Sequence, residues 1–145
     1  MPPKHPPYPH VEPDAVFLPD LEIEILADRN AVDWGYRDGE CLDAVCKHVG
    51  LDIEYSHYPN EILLEVPLDD QPVVWLQRNG RTRDDRVAVA TALGYWSLHV
   101  EKTRAAHPGC GIQALYEPTA TSARKEAGAY GMAFLMPKAE FMEAW

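Results

Sequence analysis

Between Asp84 and Val100, apolar residues cover almost the whole circumference of a helix. Val89, Leu93, Trp96 and Val100 recur on one stripe, and Val87, Ala90, Gly94 and Leu98 on the adjoining one. A helix apolar over so wide an arc must be buried on most sides, so the rest of the chain has to wrap it. A length of 145 residues suits one such domain. This segment is therefore expected to be the centre of a single core.

The flanking pattern supplies the wrapping. From Asp38 the chain reads as a helix, with Leu42, Val45, Cys46 and Val49 at i, i+3, i+4 and i+7 and Gly50 as its stop. Leu51, Ile53 and Tyr55 alternate as a half-buried strand does, Ile62 to Val66 reads as a second strand, and Val73 to Leu76 as a third. Pro59-Asn60 and Asp69 to Pro72 mark the turns between them. Ala106 to Thr121 reads as a loop. A last helix starts near Thr121 or Ser122 and runs to Met136, where Pro137 ends it. The order is α+β: an N-terminal helix, a three-stranded sheet, the central helix and a C-terminal helix. Seven of the 13 prolines fall in residues 1–19, which are expected to form an extended or disordered tail ahead of one domain over residues 20–145.

Charge narrows the function classes. Residues 1–75 carry 16 acids and 4 bases, for −12, and residues 76–145 carry 7 acids and 9 bases, for +2; together they give the net −10. A surplus of acid argues against direct nucleic-acid binding, which needs Lys and Arg to neutralise phosphates. Arg78, Arg81, Arg83 and Arg86 form a basic cluster that reads either as a solvated face or as a protein-docking patch. No run of 18 apolar residues argues for a membrane helix, and the start of the chain lacks the apolar core of a secretory signal. Three cysteines (Cys41, Cys46 and Cys110) without a Cys-x-x-Cys pair fit neither a disulfide framework nor a zinc ribbon. A cytoplasmic protein is expected.

Two strings carry a resemblance. Arg86-Val-Ala-Val-Ala-Thr-Ala-Leu-Gly-Tyr-Trp-Ser-Leu-His99 resembles the core helix of the ImmA/IrrE family of small zinc metallopeptidases, which typically reads Arg-Phe-Thr-x-Ala-His-Glu-Leu-Gly-His-x-x-Leu-His. Glu126-Ala-Gly-Ala-Tyr-Gly-Met-Ala-Phe-Leu-Met-Pro137 looks like the family segment Glu-Ala-Asn-x-Phe-Ala-x-x-Leu-Leu-Met-Pro. The resemblance covers about residues 38–140 and implies a small zincin-like domain.

The departure from that pattern is chemical. His-Glu-x-x-His places two imidazoles on one helix face for zinc, with the glutamate as general base on the bound water. Here Thr91, Ala92 and Tyr95 stand at those positions. Glu126 matches the third ligand, but one carboxylate cannot hold a catalytic zinc, which takes three protein ligands. The family mechanism is therefore absent, no residue is assigned a catalytic role and no cofactor is expected. Thr91 and Tyr95 share a face at i and i+4, and a hydrogen-bonded Thr91–Tyr95–Glu126 cluster is expected where the metal would stand. His99 lies two turns from Thr91, about 12 Å along the axis, too far to join that position.

Family members cleave transcriptional repressors, many of them encoded in phages and mobile elements. The resemblance thus implies a catalytically inactive peptidase relative that binds a protein partner such as a DNA-binding repressor. Two alternatives stay open from the sequence. One is a zinc peptidase with a displaced site at His107, Cys110 and Glu126; the other is a phage structural or interaction protein.

Overall fold

The computed structural model describes residues 8–37, 40–56, 61–77, 82–118 and 120–136, with the side chains of 82–84 outside that description. Its elements are β1 (His10–Val11), α1 (Asp20–Asp33), α2 (Asp43–Val49), β2 (Asp52–Ser56), β3 (Ile62–Val66), β4 (Val73–Gln77), α3 (Thr82–Leu98), α4 (Val100–Ala106), β5 (Gly111–Leu115) and α5 (Ser122–Leu135). The class is α+β, as expected, but the sheet has five strands in the order β1-β5-β3-β4-β2, not three. β3 runs antiparallel to both neighbours, while β1 pairs parallel with β5 and β2 parallel with β4.

Both additional strands depend on distant partners. β1 is two residues long and lies between Pro9 and Pro13. Proline lacks a donor but keeps its carbonyl, and Gly111 N–H donates to Pro9 O at 2.7 Å. An edge position tolerates such a strand. β5 falls where a loop was expected, because Ile112 and Ala114 are its only inward apolar residues and Pro108-Gly109 precedes it. Its pairing with β3 supplies what its own sequence does not. Gly111 is required there, since a Cβ would stand 2.5 Å from the Tyr8 ring.

Register sorts the sheet into two faces. Leu64 pairs with Val74 and Ala114, and Val66 with Ile112, so these residues and Leu76 share the face that joins the main apolar core with α3. Glu65, Val73, Trp75 and Gln113 lie on the other. The central helix is largely buried, with Val89, Ala90, Ala92, Leu93 and Tyr95 in the core, but Val87 of the expected stripe is exposed. It ends one residue before His99, and α4 continues after the break.

Besides α4, the helix not expected from the sequence is α1; the helix expected at the N-terminal end is α2, stopped by Gly50 at φ 90° as predicted. The reason lies in the amphipathicity of α1. Its buried face is Ile23, Ala27 and Ala31, two of them only methyl groups, whereas Leu21, Ile25 and Val32 are 59%, 50% and 59% exposed. Three of its five larger apolar side chains point outward, while Ile23 and Leu26 face the core, so the inward period is faint. α1 is fastened to the core at Tyr130, whose hydroxyl receives the Asn30 amide at 2.7 Å and the Ser97 hydroxyl at 3.0 Å.

Candidate functional site

The two helices that carry the resemblance cross at very short range. A Cβ at Gly94 would stand 2.5 Å from the Ala127 carbonyl oxygen, and one at Gly131 3.0 Å from the Ala90 carbonyl carbon. Glycine at these points lets α3 and α5 touch backbone to backbone. The crossing sets Glu126, one residue before Ala127, against the end of α3.

What Glu126 meets there is His99. Its Oε1 accepts from His99 Nε2 at 3.0 Å and from Val16 N–H at 2.9 Å, and its Oε2 accepts from Leu18 N–H at 3.2 Å. The side chain is 11% exposed and the imidazole fully buried. Burial pushes the His99 imidazole below its ordinary value, only partly countered by the carboxylate. Burial raises Glu126, but the hydrogen bonds from His99, Val16 and Leu18 more than offset this and hold it below the usual carboxylate range. The pair is thus a neutral imidazole donating Nε2–H to a carboxylate. Nδ1 of His99 is buried without a partner, as a bare acceptor.

This corrects the expected cluster. Thr91 Oγ1 donates to the Val87 carbonyl of its own helix at 2.8 Å. Tyr95 is buried with its ring 5.4 Å from that of His99, and burial pushes its hydroxyl up to about 12. Ala92 is fully buried. Neither Thr91 nor Tyr95 is among the hydrogen-bond partners of Glu126. The axial distance that separates His99 from Thr91 is no bar to Glu126, which arrives from another helix. Tyr95 and His99 at i and i+4 were the available sign that His99 shares this face.

The donors from Val16 and Leu18 belong to a strap laid over α4 and α5. Asp14 N–H donates to Thr103 Oγ1 at 2.9 Å, His107 Nε2 to the Asp14 carboxylate at 3.0 Å, and Lys102 Nζ to the Ala15 carbonyl at 2.7 Å. Between the two amides that grip Glu126, Phe17 adopts φ 56°. The N–H groups on either side of this left-handed residue converge on one carboxylate, as backbone amides do in nest-like anion sites. A bulky residue there is strained. Its ring is thrown outward, 80% exposed, with Lys102 Nζ 6.0 Å from its centre. No sequence signal marked this strap.

The remaining expectations fare differently. His107 is engaged with Asp14 and Glu126 with His99, so His107, Cys110 and Glu126 are not brought together. Among the described residues no group of three or more His, Cys, Asp or Glu is placed to hold a metal ion. A zinc ion does not fit the residues at the family's ligand positions, which offer Thr91 and Tyr95 hydroxyls in place of imidazoles. Of the basic cluster, Arg78 and Arg81 and the side chain of Arg83 lie outside the described residues. Arg86 donates to the Glu40 carbonyl at 2.6 Å and to the Tyr36 hydroxyl at 2.5 Å, and so ties α3 to the turn after α1. No helix among the described residues is long and apolar enough to cross a membrane. Set against family models, curated proteins and solved structures, the chain matches none of them.

Proposed function

We propose that this chain is a catalytically inactive, protein-binding regulator on a zincin-like ImmA/IrrE plan, and that its partner is a transcriptional repressor of a phage or mobile element. The observation that carries the proposal is the occupation of Glu126. The carboxylate matching the family's third zinc ligand is engaged by a neutral imidazole and by two main-chain amides of the chain's own N-terminal segment. An acid bound in that way is unavailable to a metal or to water activation. The buried Thr91, Ala92 and Tyr95 support the same reading, since none supplies a base or an imidazole. Binding surfaces outlive lost chemistry because recognition and catalysis use separable groups.

Two measurements test it together. The purified full chain, incubated with zinc and a labelled peptide library, is expected to cleave nothing. Cross-linking in the source cells is expected to join Lys102, which bonds the strap, or Lys125, next to Glu126 in the sequence, to one DNA-binding protein. Metal-dependent turnover overturns the inactive reading. Cross-links confined to the chain itself overturn the regulator reading.

A further inference from the structure

α1 is built inside out relative to an ordinary surface helix. The residues it buries are Ile23 and two alanines, while Leu21, Ile25 and Val32 lie in solvent. At 100° per residue these three fall within a 40° arc, and they span about 16 Å of axis at 1.5 Å per residue. Scattered apolar residues on a surface need no explanation, but an aligned stripe on one helix does. Phe17, held outward by the strained nest at 80% exposure, and the exposed Leu18 lead into the same helix. A rigidly presented aromatic beside an aliphatic stripe has the composition of a binding hot spot.

Charge identifies the occupant. α1 carries Asp20, Glu22, Glu24, Asp28 and Asp33 against Arg29 alone. On the helical wheel Glu24 and Asp28 flank the stripe on one side, and Arg29 followed by Glu22 and Asp33 on the other, so the border is acidic on balance. A second copy of the chain would set this acidic face against itself, and an anionic lipid surface would repel it. A helix with a leucine-type stripe bordered by Lys or Arg complements it in both respects. We propose that the exposed face of α1, with Phe17 at its entry, docks a basic amphipathic helix of a partner protein. The proposal rests on the protein-binding reading above and names the chemistry of its partner.

A synthetic amphipathic helix of leucine and lysine is the probe, with a leucine/glutamate peptide of the same pattern and a scrambled leucine/lysine peptide as controls. Titrated against the full chain by fluorescence anisotropy, the leucine/lysine helix is expected to bind, more weakly as salt rises. It is expected to lose roughly tenfold in affinity, about 1.4 kcal/mol, in the variant Leu21→Ser/Ile25→Ser/Val32→Ser. Because that variant needs a folding control, amide shift changes on the unmodified chain supply a second readout, expected to centre on residues 17–32. Equal binding of either control peptide overturns the proposal, as do unchanged affinity in the variant and shifts centred elsewhere. A dimer of the free chain that the variant abolishes, or binding to anionic vesicles, overturns it in favour of those occupants. Cellular cross-links from Lys102 or Lys125 that persist in the variant refute this surface and leave the regulator reading standing.

Discussion

Two glutamates, one buried and one partly buried, fasten the N-terminal segment to the domain, and they do so by opposite means. Glu65 in β3 accepts from the Tyr8 hydroxyl at 2.5 Å and from the Trp75 indole N–H at 3.0 Å. Gln113 adds a bond to the same Tyr8 oxygen at 3.1 Å. The sheet register sets Glu65 opposite Val73 and Gln113 on one face, and the neutral side chains of Tyr8 and Trp75 donate to it there. Glu126 in α5 instead draws two main-chain amides around itself, which demands the left-handed turn at Phe17. The Glu65 carboxylate is met by donors at the ends of side chains, whereas the amides that meet Glu126 belong to a backbone bent through a left-handed residue, which turns a side chain out to solvent. The second arrangement therefore builds a surface as well as a fastening.

The sharpest way to break this contrast is Glu126→Ala. It strands His99 Nε2–H and the two amides, and is expected to destabilise the fold by roughly 2–4 kcal/mol. Chemical denaturation reads the loss, and hydrogen exchange is expected to quicken at residues 16–18 while residues 10 and 11 stay protected. Equal loss of protection at both ends would show that the strap is one cooperative unit. Glu65→Leu keeps the volume but leaves the Trp75 indole without its acceptor, at about 1–2 kcal/mol, with the exchange pattern reversed.

Acid should discriminate further. Burial holds His99 below its ordinary value, and its hydrogen bonds hold Glu126 below the carboxylate range against the upward push of burial. The unfolded chain then binds more protons than the folded one, so this pair's contribution is complete above about pH 6.5 and declines as pH falls through the imidazole and then the carboxylate range. Melting temperatures across that interval are expected to drop, and His99→Gln to flatten the upper part of the decline. A profile identical to that of the unmodified chain would remove His99 from the account. The smallest effect belongs to Phe17→Gly, which relieves the left-handed strain and is expected to raise stability by at most about 1 kcal/mol. A loss of stability there would mean that the exposed ring packs against the chain after all.

Much of the helical frame was legible because its signals are local. The period of α3, the Gly50 stop, the start of α5 near Ser122 and the alternation of β2 are all carried by residues within a few positions of each other. α1 was not legible, since its inward face is mostly alanine and its apolar bulk faces out. At the site, it was legible that Thr91, Ala92 and Tyr95 stand where the resembling family has His, Glu and His. The partner of Glu126 was not readable from them.

The sequence by itself determined an α+β core around one apolar helix, an acidic N-terminal half and the residue types Thr, Ala and Tyr at 91, 92 and 95. Those follow from composition and short-range periodicity. Tertiary structure alone decided that β1 and β5 are strands, that His99 rather than Tyr95 bonds Glu126, and that residues 14–18 form a strap. Each of these joins groups distant in sequence: 27 positions for His99 and Glu126, and 110 for Val16 and Glu126. The physical reason is that a buried polar group must find a partner wherever the packed chain brings one within reach, and no local pattern encodes that meeting.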